Sequence, residues 1–201
     1  MIEDFNSLNL PGQTPLDQLD IDGLIAHAHN KKEVDEAEAR NILEARKWIY
    51  ARSRKFTTSK ILTLNWIIQL HKNLFDDVWS WGGEFRTTAK NIGVPAYKIR
   101  SELQEMLNET NNRLANKAQW GFSNQEIALR LAHKAVLIHP FANGNGRWSR
   151  ELADAFLTSL GEPRFSWGIT LPLEAQHQKM IEAIKDCDLG NFKPFMEFAI
   201  H

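Results

Sequence analysis

The stretch HPFANGNGRWSR, residues 139–150, gathers side chains that are suited to phosphate chemistry. His139 can accept a proton near neutral pH, because the ordinary pKa of an imidazole is about 6.5. The segment from Gly144 to Gly146 predicts a turn that opens a helix. Backbone N–H groups in the first turn of a helix bind anions, with help from the helix dipole. A proton acceptor is therefore expected beside an anion cradle.

Two arginines follow the glycines at a spacing that also fits phosphate. Arg147 and Arg150 are three residues apart, so they share one face of the predicted helix. The helix dipole opposes cations just inside a helix start, and a bound anion is a better explanation for them than a surface role. A histidine, an anion cradle and two guanidiniums together predict transfer of a group from a nucleotide.

This arrangement resembles the signature of the Fic family, His-Pro-Phe-x-Asp/Glu-Gly-Asn-Gly-Arg-x-x-Arg. The stretch at residues 82–99 is similar to the flap hairpin of that family, and residues 183–200 resemble the end of its domain. The short chain and an Asn in place of the family's acidic residue resemble the subgroup called mobile mystery protein B. The motif positions that match are His139, Pro140, Phe141, Gly144, Asn145, Gly146, Arg147 and Arg150.

The resemblance implies transfer of AMP from ATP to a Ser, Thr or Tyr hydroxyl of a target protein. His139 would be the general base. The glycine turn, the Asn145 side chain and Arg147 would hold the α- and β-phosphates, and Arg150 the γ-phosphate. Gly146 favours the orientation for AMP transfer, since the Doc-like branch has a Lys there. The flap would clamp a target segment as an added strand, through Ile92, Gly93, Val94, Pro95, Ala96 and Tyr97.

Asn143 departs from the family pattern, because it stands where most members place the acidic ligand of Mg²⁺. An amide oxygen can bind Mg²⁺ but carries no charge, so we expect an active enzyme that holds Mg²⁺ weakly. The resemblance also suggests an inhibitory Glu that pairs with the second arginine of the motif. A strict copy of the inhibitory motif is absent from the sequence, and the nearest candidate is Glu38, predicted to pair with Arg150.

Helical periodicity runs through most of the chain, which predicts an all-α fold of the Fic-type helical bundle with a small β-hairpin flap beside the site. Residues 1–54 are expected to be N-terminal helices packed on the core, with a regulatory role, and residues 55–201 the Fic core of one compact domain. The ranges predicted as helices are 14–30, 32–54, 59–78, 101–118, 123–138, 145–160, 172–187 and 191–199.

Composition narrows the class of protein further. With 43% hydrophobic and 24% charged residues, the 201-residue chain is typical of a soluble globular protein, and a net charge of −1 argues against direct nucleic-acid binding. The start does not resemble a secretory signal, no membrane span is expected, and a lone Cys187 fits a cytoplasmic protein. Lys90 and Lys98 are interpreted as residues that keep the flap soluble.

Other functions stay open at the sequence level. The same site could remove AMP or transfer another phosphate-linked group. A catalytically weak or silent module that binds a partner, in a toxin–antitoxin or mobile-element system, would also account for Asn143. The sequence leaves open a homodimer and an antitoxin or other inhibitory partner. His71, His133 and His177 show no spacing typical of metal ligands.

Overall fold

The computed structural model describes residues 15–53 and 55–201, so residues 1–14 and 54 of the predicted N-terminal region lie outside the description. The described ranges hold ten α-helices and a 3-10 turn at Ala96–Lys98, and the all-α prediction is confirmed. The helices are α1 (Gln18–Asp22), α2 (Lys31–Ser53), α3 (Thr58–Ile61), α4 (Leu64–Phe75), α5 (Ile99–Ala115), α6 (Lys117–Trp120), α7 (Asn124–Ile138), α8 (Asn145–Ser159), α9 (Leu173–Asp188) and α10 (Lys193–Ile200).

Capping side chains explain where several predicted helices begin and where one is broken. The Ser123 hydroxyl accepts the Glu126 N–H, so α7 begins where the sequence predicts. The helix predicted over 59–78 is instead divided into α3 and α4, because the Thr63 hydroxyl caps a new helix by accepting the Trp66 N–H. In the range 14–30, the described helix is only α1, since the chain bends at Gly23 toward Trp79.

The core is built around α7 and α8, which pack on each other, with α5 and α10 against α7. On the other side, α2 packs against both α4 and α8. Phe75 of α4 and Phe156 and Trp148 of α8 are fully buried, and the Trp148 indole N–H donates to the Ile67 carbonyl at 2.9 Å. Burying each such side chain stabilises the fold by about 1.5–3 kcal/mol, so the start of α8 is held firmly against α4.

The loop at residues 84–95 is irregular, and the predicted β-hairpin is not formed. Among the described residues, the loop forms one isolated β-bridge, an antiparallel one between Phe85 and Phe141. The Arg86 guanidinium donates to the carbonyls of Thr88 and Val94 within this loop. A buried side chain, in place of a strand ladder, thus holds the loop together. No helix in the described ranges has the length and apolarity needed to cross a membrane.

Candidate active site

His139 ends α7 in the left-handed region, with φ at 50°. A residue with a Cβ occupies that region only at an energetic cost, and such residues concentrate at functional sites. The backbone N–H of His139 still donates to the Ala135 carbonyl, so the residue caps the helix while the chain turns sharply into Pro140. The side chain that the sequence predicts as the base is thereby placed in the connection between α7 and α8.

The surroundings of His139 keep its imidazole neutral. Burial, together with the positive charges of Arg86 and Lys90, lowers the pKa of His139 to about 4, while a hydrogen bond with the backbone of Val136 opposes the shift. At neutral pH the ring therefore carries no charge and can accept a proton.

Asn145 closes the loop between the two helices with its side chain. Its Oδ1 accepts the Phe141 N–H and its Nδ2 donates to the Phe141 carbonyl, both at 2.9 Å, and the side chain is buried. Both ends of the amide are therefore used inside the loop. The contact of the Asn145 side chain with phosphate therefore stays a prediction; in this structure the side chain shapes the cradle, and its backbone belongs to the helix start.

The two glycines of the turn differ in what a side chain at each position would meet. Gly144 has φ at 76°, and a Cβ there would lie 2.5 Å from the Phe75 ring, so both conformation and space require glycine. A Cβ on Gly146 would meet nothing within 4 Å. Open space above the first turn of α8 is what an approaching phosphate needs.

Hydrogen bonds of Asn143 and His71 stabilise the turn before α8. The Asn143 Oδ1 accepts the Gly144 N–H at 2.6 Å, and its backbone carbonyl lies 3.1 Å from the His71 Nε2. Because the His71 Nδ1 accepts the Gly83 N–H at 3.0 Å, Nε2 carries the proton and donates to Asn143. Burial lowers the pKa of His71 to about 3, which keeps this neutral form. His71 is a site residue that sequence reasoning missed, since its only signal was a polar residue among the buried positions of α4.

A magnesium ion would find little protein to bind here. The described residues contain no cluster of three His, Cys, Asp or Glu side chains that could hold a metal. Asn143 offers one uncharged side-chain oxygen, which already accepts the Gly144 N–H. These residues fit an ion that arrives with a nucleotide and takes most of its ligands from phosphate and water.

Arg147 is bound to Glu38, and the predicted Glu38–Arg150 pair is wrong. The Arg147 Nη1 lies 2.5 Å from the Glu38 Oε2, and the Trp79 Nε1 donates to the Glu38 Oε1 at 2.7 Å. The reason is packing: α2 lies against α4 and α8, which brings Glu38 to the first turn of α8. The Arg147 guanidinium also lies 4.9 Å from the Phe75 ring centroid.

Arg150 lies one turn further on and faces α9. Its Nη1 contacts the Met180 sulfur at 2.9 Å, and no carboxylate of the described residues is within ion-pair distance. Burial and the neighbouring Arg147 lower the pKa of Arg150 to about 10, so it keeps its charge at neutral pH. A partly buried cation in this setting is stabilised by an anion.

The predicted flap residues divide into two groups. Gly93 and Val94 pack on the site, since a Cβ on Gly93 would lie 2.7 Å from the His139 Cβ and the Val94 N–H donates to the Ile138 carbonyl. Ile92 and Tyr97 are 44% and 83% exposed, so the loop presents apolar side chains outward. The remaining members lie at the start of the 3-10 turn: Pro95 and Ala96.

Lys90 is a structural residue of this loop, and its predicted role in solubility is wrong. Its side chain is 6% exposed, and its ammonium lies 2.7 Å from a carboxylate oxygen of both Asp17 and Asp20. These contacts fasten the loop to α1. Lys98 is exposed, as the interpretation of a solubilising residue requires.

Comparison with known proteins identifies the domain. A sequence model of the Fic/DOC family matches residues 61–157, which include the site from His71 to Arg150. The matched segment, residues 61–157, is a Fic/DOC domain. Over 151 residues it is 27% identical to the protein adenylyltransferase Fic of Aedes aegypti, covering 74% of this chain and 29% of that protein. With the protein of the same name from Nematostella vectensis, it shares 26% over 150 residues, covering 74% and 34%.

The chain spans about a third or less of the length of these curated relatives. Several solved structures share the fold. BepC of Bartonella tribocorum with bound AMPPNP aligns with a TM-score of 0.64 at 17% identity, covering 90% of this chain and 96% of that one. Fic-1 of C. elegans aligns with a TM-score of 0.62 at 19% identity, covering 89% and 51%. The fold shared with these structures therefore extends well beyond the matched residues.

Proposed function

We propose that this Fic/DOC domain transfers AMP from ATP to a hydroxyl side chain of a target protein. The observation that carries the proposal is a neutral histidine, His139, placed one short loop before a helix start that is open above Gly146 and bears two arginines. Relatives named protein adenylyltransferase match this chain over about 150 residues, which supports the same chemistry.

In the proposed reaction, His139 accepts the proton of the target hydroxyl as its oxygen attacks the α-phosphorus of ATP. The bond between that phosphorus and the oxygen bridging to the β-phosphate breaks, and pyrophosphate leaves. The N–H groups at the start of α8, with Arg147, would hold the α- and β-phosphates, and Arg150 the γ-phosphate. The N–H dipoles and the two guanidiniums would offset the negative charge that develops on the phosphates during the transfer.

ATP would enter as its magnesium complex, so the metal is treated as part of the substrate. Asn143 would supply one neutral oxygen once its side chain releases the Gly144 N–H. Nucleotide binding by this fold has precedent, because Fic-domain structures from Bartonella species hold AMPPNP and ADP. Ile92 and Tyr97 would contact the target, which lies beside the loop as an added segment.

Glu38 supplies an inhibitory group within the proposal. It neutralises Arg147 from α2, and a polyphosphate must compete with a carboxylate that Trp79 already holds in place. Inhibition can therefore arise from the N-terminal region of the same chain, and this arrangement does not require an antitoxin or a second copy. The resemblance to mobile mystery protein B still makes such a partner worth testing.

The deciding experiment measures the intact mass of the purified protein and of candidate targets after incubation with ATP and Mg²⁺. Transfer adds one AMP, and ATP labelled at the α-phosphate leaves label on the protein while γ-labelled ATP does not. The His139→Ala variant, which should still bind ATP, should gain nothing. Label from the γ-phosphate would show phosphate transfer instead. Demonstrated ATP binding without any transfer, also in Glu38→Gly and with candidate targets, would favour a silent binding module.

A further inference from the structure

Arg86 joins the flap loop to the chain around His139. The residue is 6% exposed, and its Nε donates to the His139 carbonyl at 2.6 Å. The other two guanidinium nitrogens donate to carbonyls within the loop, at Thr88 and Val94. Its own backbone N–H donates to the Pro140 carbonyl at 3.0 Å. The buried guanidinium of Arg86 thus binds two carbonyls of the loop, at Thr88 and Val94, and the carbonyl of the proposed base, His139.

These acceptors are all peptide carbonyls. Among the described residues, no carboxylate pairs with Arg86. The positive charge of Arg86 is therefore stabilised by the dipoles of peptide carbonyls, in place of a carboxylate. The His139 carbonyl belongs to the residue held at φ 50°, so the Arg86 Nε fixes the peptide at the strained end of α7.

The loop packs closely against Arg86 and the end of α7, so the positions of the three are coupled. A Cβ on Gly93 would lie 2.7 Å from both the Arg86 Nη2 and the His139 Cβ, and Gly93 has φ at 110°. The Val94 N–H donates to the Ile138 carbonyl at 3.2 Å, next to the same guanidinium. A shift of Arg86 would therefore move the loop and the end of α7 relative to each other.

We infer that Arg86 is a positioning residue, which sets the backbone of His139 and the target-facing loop in one fixed relationship so that base and docked hydroxyl meet. The inference deepens the proposed AMP transfer and rests on it for its meaning. Arg86 lies outside the motif at residues 139–150. Its effect on the His139 backbone and the loop can be measured without an activity assay.

The charge of Arg86 also affects the pKa of His139, which gives a measurement that a purely stabilising role would not predict. Two charged groups on the loop, Arg86 and Lys90, each lower the pKa of His139, although burial contributes most. Removing the Arg86 charge should let that pKa rise toward its usual 6.5. A lysine at this position keeps the charge but cannot reach three separate carbonyls as the planar guanidinium does.

The test compares Arg86→Gln, Arg86→Lys and the control Arg100→Gln. Arg100 is an exposed arginine whose guanidinium lies 5.9 Å from the ring of Phe85, the neighbour of Arg86. In labelled protein, NMR measures the pKa of His139 and the exchange rate of the Val94 amide. We expect a raised pKa only in Arg86→Gln, and exchange faster by about fivefold to tenfold in both Arg86 variants. The control should match the parent protein.

Activity supplies the last measurement. Both Arg86 variants should lose kcat for AMP transfer by about tenfold or more while KM for ATP stays within about twofold, since Arg86 is not among the phosphate-binding groups. Unchanged His139 pKa and Val94 exchange would overturn the inference, and if Arg86→Gln does not fold, the exchange rate in Arg86→Lys decides. A parent protein without transfer activity would overturn the proposed function instead, and the NMR comparison would still decide the role of Arg86.

Discussion

Glu38 of α2 and Arg147 of α8 form an ion pair at 2.5 Å, with the carboxylate 5% exposed and the guanidinium 33% exposed. The second oxygen of Glu38 accepts the indole N–H of Trp79, so the acid is held on both sides. An anion that approaches the start of α8 meets an arginine whose charge is already balanced. The pair therefore links the N-terminal region to the proposed phosphate site.

Replacing Glu38 with Gln should increase the affinity for ATP. The amide can still accept the Trp79 N–H, but it no longer neutralises Arg147. Hydrogen bonds to charged groups contribute about 1.5–3 kcal/mol, and about 1.4 kcal/mol corresponds to tenfold in affinity, so we expect Kd to fall by about tenfold. Calorimetric titration with AMPPNP measures the change directly.

The matched control is Glu44→Gln, which removes an exposed carboxylate that pairs with Lys47 on the same helix. Its Kd should equal that of the parent. Glu38→Gln should also unfold at lower urea, because it leaves the Arg147 charge uncompensated. Weaker stability combined with tighter binding distinguishes inhibition from a purely structural role, and an unchanged Kd would remove Glu38 from the proposal.

The two glycines of the cradle should respond differently to alanine. Gly144→Ala places a Cβ 2.5 Å from the Phe75 ring at φ 76°, so the free energy of unfolding should fall by about 1–3 kcal/mol. Gly146→Ala fills open space inside a helix, where alanine is favoured by up to about 1 kcal/mol, so stability should hold or rise. Urea unfolding checks both values.

Binding separates the pair further. If phosphate occupies the open space over Gly146, the Gly146→Ala variant should bind AMPPNP at least about fivefold more weakly despite its stability, because the methyl group excludes a phosphate oxygen. An affinity equal to that of the parent protein would place the phosphates elsewhere.

Local signals explain what the sequence could predict. The bounds of α7 and α8 follow from a capping serine, Ser123, and from a glycine turn, and both signals act within a few residues. Gly144 and the end of α7 at His139 were likewise readable, since the motif fixes them at contiguous positions. Helix positions and the cradle were therefore within reach of a single sequence.

Long-range contacts explain what was missed. Arg86 acts on a carbonyl 53 residues away, and Lys90 on Asp17 and Asp20 at separations of 73 and 70. The partner of Glu38, at a separation of 109, depends on how α2 crosses α8. No local pattern encodes such pairings, because they are decided by packing between elements. The predicted hairpin is likewise not formed, and Arg86 donates to two carbonyls of that loop, at Thr88 and Val94.

Replacing Asn143 with Asp should strengthen the dependence on Mg²⁺. The amide supplies a neutral oxygen, whereas a carboxylate supplies charge, which hard cations prefer. We expect the Mg²⁺ concentration for half-maximal AMP transfer to fall by about tenfold or more at fixed ATP. Magnesium titrations of the two proteins make the comparison, with Asn191→Asp as a control at an exposed asparagine between α9 and α10. Superimposable titration curves for Asn143→Asp and the parent would contradict a metal role for this position.

ATP should raise the pKa of His139 from the value of about 4 that burial and nearby cations impose on the free protein. A polyphosphate brings several negative charges, which favour the imidazolium form. NMR titration of labelled protein should therefore show His139 titrating at a higher pH with ATP than without it. Adenosine is the matched ligand control, because it lacks phosphates and should leave the pKa near its free value.

The same depression has a consequence for stability that tests the free-state value independently. Because the unfolded chain binds the His139 proton more tightly, its contribution to the free energy of unfolding is present above about pH 6.5 and is lost as the pH falls toward about 4. His139→Gln should remove that contribution, so the difference in unfolding free energy between parent and variant should change across this window. A His139 resonance that titrates near 6.5 in the free protein would contradict both expectations, since the base would then be largely protonated in mild acid.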